Sequence, residues 1–151
     1  GIVVKGIADL SVRFSKCCNP VPGDEIVGFV TRGRGMSIHR TDCVNVINLS
    51  AAERSRLITA EWEDPGDTEE GGQYLAELKL YADDRRGLLL DITKVFTEEK
   101  IDVKSMNTRT SKKGTATMDM GFIVHGREEL NRVIKKLRQI ENVIDIERTT
   151  G

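Results

Sequence analysis

No stretch of this sequence approaches the roughly 18 consecutive apolar residues that a membrane-spanning helix requires. Its start has neither the charged nor the apolar region of a secretory signal. No membrane association is expected, and Gly1 reads as an introduced first residue. Cysteine is scarce and odd in number, three in 151 residues, which argues against a disulfide framework and for a reducing compartment. The cytoplasm is the expected location. Apolar residues make up 38% of the chain against 31% charged, so any core is modest. A chain of this length holds one average domain or two small ones.

The net charge of −1 says little until it is divided along the chain. Residues 1–49 hold six Lys/Arg against four acids, a balance of +2; residues 50–72 hold two against seven, −5; residues 73–151 hold fifteen against thirteen, +2. The acidic stretch ends in EWEDPGDTEEGG, with no apolar run after Trp62. Such a composition cannot bury enough surface to offset the entropy of ordering it. Residues 64–72 are therefore expected to link two small domains, 7–63 and 73–149.

The second of these has a clear periodicity. Tyr74, Ala76, Leu78, Leu80 and Ala82 alternate with more polar neighbours, the mark of a half-buried strand. After the turn 83–87, Leu88, Ile92, Val95 and Phe96 fall on one face of a helix reaching to about Lys100. Ile101 to Thr110 returns as a strand, Ser111 to Gly114 is a hairpin loop, and Ala116 to Val124 alternates again. Leu130, Val133, Ile134 and Leu137 line a second helix, and Val143 to Arg148 closes as a short strand. The order β-α-β-β-α-β predicts a ferredoxin-like α+β fold, two helices on one face of an antiparallel sheet.

The first half is β-rich and irregular. Strands are expected near Leu10–Lys16, Ile26–Thr31, Met36–His39 and Leu57–Trp62, with a tight turn over 32–35 and a short helix capped by Thr41. Pro20 and Pro22 exclude a helix after the adjacent Cys17 and Cys18. Cys17, Cys18, His39 and Cys43 supply four N/S donors, the number a structural zinc site takes. Adjacent residues in extended backbone point to opposite faces, so both cysteines can ligate one ion only where the turn twists them together. Otherwise one is a small buried apolar residue and the cluster packs without metal. Arg13, Lys16, Arg32, Arg34, His39 and Arg40 form the cationic set of the same module, suited to phosphate contacts from a rigid scaffold. The alternative is a solvated basic face.

Two resemblances sharpen these expectations. DDRRGLLLDITKVFTEEKIDVKSMNTRT resembles the ACT domain, an amino-acid-sensing module. That resemblance implies a ligand site at the helix entrance and the opening of the second strand: Asp83, Asp84, Arg86, Gly87, Leu88, Leu89, Ile101, Asp102 and Val103. A helix N-terminus offers unpaired N–H groups and partial positive charge to an amino acid's carboxylate. ACT domains commonly pair side by side, with ligand at the interface. A dimerising or docking domain without ligand is the alternative.

KCCNPVPGDEIVGFVTRGRGMSIHRTDC resembles the zinc-finger-like, ribosome-intersubunit (RIS) segment of long bacterial RelA/SpoT proteins, where an ACT domain follows. The resemblance implies a regulatory region of a bifunctional GTP diphosphokinase and (p)ppGpp hydrolase. It implies zinc at the four donors, contacts with 23S rRNA and A-site tRNA on the ribosome, and an ACT domain sensing valine or isoleucine. No synthetase motif or His-Asp hydrolase set is present, so no catalytic residue is expected in this chain. A third reading, the amino-acid-binding tail of a biosynthetic enzyme, leaves the Cys/His half unexplained.

Overall fold

The computed structural model describes residues 2–4 (backbone only), 11–33, 35–63 and 72–149. Arg34, expected among the phosphate contacts, and linker residues 64–71 lie outside the described residues. The chain divides into two compact units, one of residues up to 71 and one spanning Gly72–Thr149.

The first unit is a five-stranded sheet. Its strands are β1 (Ile2–Val4), β2 (Ser11–Phe14), β3 (Ile26–Val30), β4 (Gly35–Arg40) and β5 (Leu57–Trp62), in the order β1-β5-β3-β4-β2. β2 runs parallel to β4 and the other pairs are antiparallel. β1 precedes residue 7, where the sequence reading began this module. Alternation along β4 sends Met36 and Ile38 into one apolar cluster with Ala60, while His39 faces the cysteines. Gly28 makes room for that cluster, since a Cβ there would stand 2.5 Å from Met36 Sδ.

Two short helices, α1 (Val44–Ile47) and α2 (Ala51–Arg54), join β4 to β5. Cys43, not Thr41, is the residue at the start of α1. α2 went unread in the sequence although Ser50 and Glu53 form a reciprocal capping box, a spacing visible in Ser50-Ala51-Ala52-Glu53. Trp62 anchors the core: its Nε1–H donates to the Asp24 carbonyl at 3.0 Å and its ring stacks on Phe14 at 5.6 Å.

The second unit has the expected β-α-β-β-α-β order: β6 (Tyr74–Asp83), α3 (Leu88–Glu98), β7 (Val103–Thr110), β8 (Thr115–Val124), α4 (Arg127–Arg138) and β9 (Val143–Arg148). The antiparallel sheet runs β7-β8-β6-β9. Ala76, Leu78, Leu80 and Ala82 of β6 are buried with Leu88, Ile92, Val95 and Phe96 of α3 and Leu130, Val133 and Leu137 of α4. Phe96 meets Phe122 at 4.9 Å with tilted rings. Glu99, capping α3, ties the helices together by accepting from Lys136 at 2.6 Å and pairing with Arg132 at 3.5 Å. Among the described residues no helix is long and apolar enough to cross a membrane.

Candidate functional site

The donor atoms of Cys17, Cys18, His39 and Cys43 all lie within 4.8 Å of one another. Cys17 Sγ stands 3.4 Å from Cys43 Sγ and 3.5 Å from His39 Nδ1, and Cys18 Sγ is 3.9 Å from the same nitrogen. A tetrahedral zinc with Zn–S near 2.3 Å has sulfur–sulfur edges of about 3.8 Å, so the donor set and its spacing fit such an ion.

Backbone geometry resolves the difficulty of the adjacent cysteines. They do not lie in a strand: residues 16–18 form a turn, Asn19 takes φ 47°, and Asn19 N–H closes the loop by donating to the Ser15 carbonyl at 3.0 Å. The turn aims both sulfurs at one point. His39 arrives from β4 and Cys43 from the start of α1, where its extended backbone (φ −62°, ψ 131°) precedes the helix.

Three of the four donors have an outer partner given by these contacts. Ser15 Oγ lies 2.8 Å from Cys17 Sγ, the Arg40 N–H donates to Cys18 Sγ at 3.3 Å, and Ser37 Oγ is 3.0 Å from His39 Nε2. Sequence reasoning missed both serines; for Ser37 the available signal was its position two residues before His39 on one strand face. Burial pushes the Cys18 thiol up to about 12 and raises Cys43. For Cys17 the same burial is outweighed by hydrogen bonds from Ser15, Asn45 and its neighbouring thiols, and its pKa falls below the ordinary value. Burial, then the charge of Arg13, lowers His39, keeping its imidazole neutral as a metal ligand must be.

The expected phosphate contacts separate into two groups. Arg13, Lys16 and Arg32 are exposed, and Arg13 lines a cavity of about 380 Å³ with Ser11, Thr31, Gly33, Gly35 and Met36. Arg40 belongs elsewhere: it is 5% exposed, donates from Nε and Nη2 to both Asp42 carboxylate oxygens at 2.9 and 2.6 Å, and reaches the Cys18 carbonyl at 3.2 Å. It braces the cysteine turn and leaves the cationic surface. His39, with both ring nitrogens engaged inside the cluster, leaves it too.

The expected amino-acid site also divides. Asp83, Asp84, Arg86, Gly87 and Leu89 are exposed around the start of α3, where Gly87 takes φ 79°. Leu88 is buried and belongs to the core. Ile101, also buried, Asp102 and Val103 lie beyond the other end of α3, eleven residues long and thus about 16 Å. The register agrees: Asp83 pairs with Thr115 and Val103 with Phe122, near opposite ends of β8. Within one chain these nine residues do not form a single site. An element missed in the sequence is Arg85, which bridges the turn to α3 by donating to Asp91 at 2.7 Å and to the Glu141 carbonyl.

A thiol–imidazole cluster thus sits in a small β module, and a ferredoxin-like unit follows it in the chain. Residues 2–63 match the RelA/SpoT RIS domain and residues 70–148 match the ACT domain. The chain belongs to the RelA/SpoT family as its RIS–ACT regulatory region, and it contains no catalytic domain. It is 40% identical to a GTP pyrophosphokinase of Streptomyces coelicolor, covering 100% of this chain and 17% of that protein. It is likewise 40% identical to the GTP pyrophosphokinase of Escherichia coli K12, over 99% of this chain and 20% of the relative. The chain thus spans a fifth or less of these relatives' length. Among solved structures, the ACT domain from the GTP pyrophosphokinase of Chlorobium tepidum aligns over 51% of this chain and 99% of its own, at 23% identity and TM-score 0.47.

Proposed function

We propose that this chain is the sensing end of a longer cytoplasmic enzyme that makes (p)ppGpp from GTP or GDP and ATP and degrades it again. The observation that carries the reading is the assembled Cys/His cluster in a RIS-type module, on the same chain as an ACT unit. Cys17, Cys18, His39 and Cys43 would hold zinc, which when bound supplies a rigid cross-link between the cysteine turn, β4 and α1. The exposed Arg13, Lys16 and Arg32, with Arg34, would contact phosphates of 23S rRNA near the A-site tRNA on the ribosome. Substituting Arg13 and Arg32 by Glu in the full-length protein is expected to weaken ribosome pelleting; unchanged pelleting removes both from the interface.

The ACT unit is proposed to bind a branched-chain amino acid, valine or isoleucine, between two copies. β7 is an edge strand exposed along nearly all its length. Antiparallel pairing of two β7 edges would bring Asp102 and Val103 of one copy to the end of the joined sheet that carries Asp83–Leu89 of the other, with β7 and β8 of that copy between them. Ligand binding then biases the absent catalytic domains only by its difference in affinity for their two states. Calorimetry at two protein concentrations tests this: heat that grows with dimer population is expected, and no heat at millimolar valine or isoleucine ends it. That second result would favour a docking or dimerisation unit without ligand, a reading to which exposed Leu90 and Ile144 lend support.

A further inference from the structure

Histidine can ligate through either ring nitrogen, and the one that does so is set by what holds the other. Ser37 and His39 are two residues apart on β4, so strand alternation puts both side chains on one face of the sheet. Ser37 is buried at 7% exposure, between its register partners Arg13 on β2 and Phe29 on β3. Its Oγ stands 3.0 Å from His39 Nε2, while Nδ1 of the same ring faces the sulfurs of Cys17 and Cys18 at 3.5 and 3.9 Å. The Ser37 hydroxyl can accept from Nε2–H, and when a metal takes the Nδ1 lone pair the ring proton sits on Nε2, where Ser37 Oγ receives it.

We infer that Ser37 is the positioning residue of the metal centre: it fixes His39 as an Nδ1 ligand and holds the ring in the plane that closes the fourth vertex. This rests on the metal reading of the cluster. The reach of the imidazole supports it. Nδ1 is the ring nitrogen nearer the backbone, so a histidine on a strand that packs directly against the cysteine turn coordinates with its short arm. The longer Nε2 arm would have to displace the turn. Losing the hydroxyl frees the ring to rotate and to exchange its proton between nitrogens, so the site is no longer preformed when metal arrives.

The test uses the zinc-loaded 151-residue chain. Long-range proton–nitrogen NMR of His39 is expected to show a metal-bound Nδ1 and a protonated Nε2. Zinc competition against a chromophoric chelator is expected to show affinity falling about 10- to 100-fold in Ser37→Ala, the range of lost outer-shell partners, with Ser37→Thr restoring most of it. Coordination through Nε2 in the native chain, or equal affinity in Ser37→Ala with the same NMR pattern, overturns the assignment. Where Ser37→Ala fails to fold, Nε2 coordination in the native chain still overturns the assignment, and the isosteric pair Ser37→Thr and Ser37→Val carries the affinity comparison. Cys17→Ser separates the two levels of the argument. A native chain that binds zinc and loses it in Cys17→Ser, but not in Ser37→Ala, leaves the metal centre standing and removes only Ser37. A native chain that takes up no zinc removes both.

Discussion

The sulfurs of Cys17 and Cys43 lie 3.4 Å apart although 26 residues separate them in the chain. A turn and a helix start, both irregular in sequence, are held at contact distance by β4, which contributes His39 between them. Three thiols and one imidazole nitrogen gathered at one point make a Cys3His donor set, one of those that structural zinc takes. One zinc per chain is therefore expected by native mass spectrometry, with Cys17→Ser or Cys43→Ser reducing it to none. Chelation should lower the melting temperature of the first unit and leave the second unchanged. Protein purified without chelator that carries no metal and takes up none would remove the metal from this account.

Arg40 is buried while its partner Asp42 has a side chain 59% exposed. Removing the acid takes the bidentate carboxylate from a desolvated guanidinium that also bonds the Cys18 carbonyl. Asp42→Ala is expected to destabilise the first unit by about 1–3 kcal/mol, read from urea unfolding, without change to the second unit. A loss within experimental error would mean that Arg40 finds solvent when released.

The two glycines of the β3–β4 hairpin region give a matched comparison. An added methyl at Gly28 meets the fully buried Met36 thioether at 2.5 Å, whereas one at Gly33 meets nothing within 4 Å. Gly28→Ala should cost about 1–3 kcal/mol through overpacking, and Gly33→Ala should be near neutral. Equal melting temperatures for the two variants would contradict the packing described for Met36.

Glu99 carries the clearest pH signature in the second unit. The hydrogen bond from Lys136, then the charges of Lys136 and Arg132, outweigh burial and hold its carboxyl below the ordinary value of 4.5. A folded pKa below the unfolded one contributes stability that is fully present above the unfolded value and is lost as pH falls through the folded one. Glu99→Gln should therefore narrow the stability difference between pH 7 and pH 3 for this unit. Denaturant melts at both values measure it; an unchanged difference would mean that the α3–α4 bridge is not formed in solution.

The ACT half was legible because its signals are local. Period-2 alternation in Tyr74–Ala82 and 3.6-residue spacing in Leu88–Phe96 state which face is buried before any tertiary contact is known. The first half was legible mainly in composition. Three cysteines, two prolines and a histidine marked a site, and the strands around it were found to within a few residues. What could not be read was direction. Cys17-Cys18 could have splayed or converged, and the choice rests on the positive φ of Asn19 and one backbone hydrogen bond to Ser15. Arg40 looked like any surface arginine until Asp42 and the Cys18 carbonyl enclosed it.

The sequence by itself determined the two-part organisation, the ferredoxin-like order and the identity of the four donors, because burial periodicity and residue chemistry are properties of short segments. Only the tertiary structure decided that the donors meet, that Ser37 and not solvent faces His39 Nε2, and that residues 83–89 and 101–103 lie at opposite ends of a helix. Those outcomes depend on strand register and helix length, which set distances between residues far apart in the chain. Residue type names the chemistry available at a position; register decides which atoms it can reach.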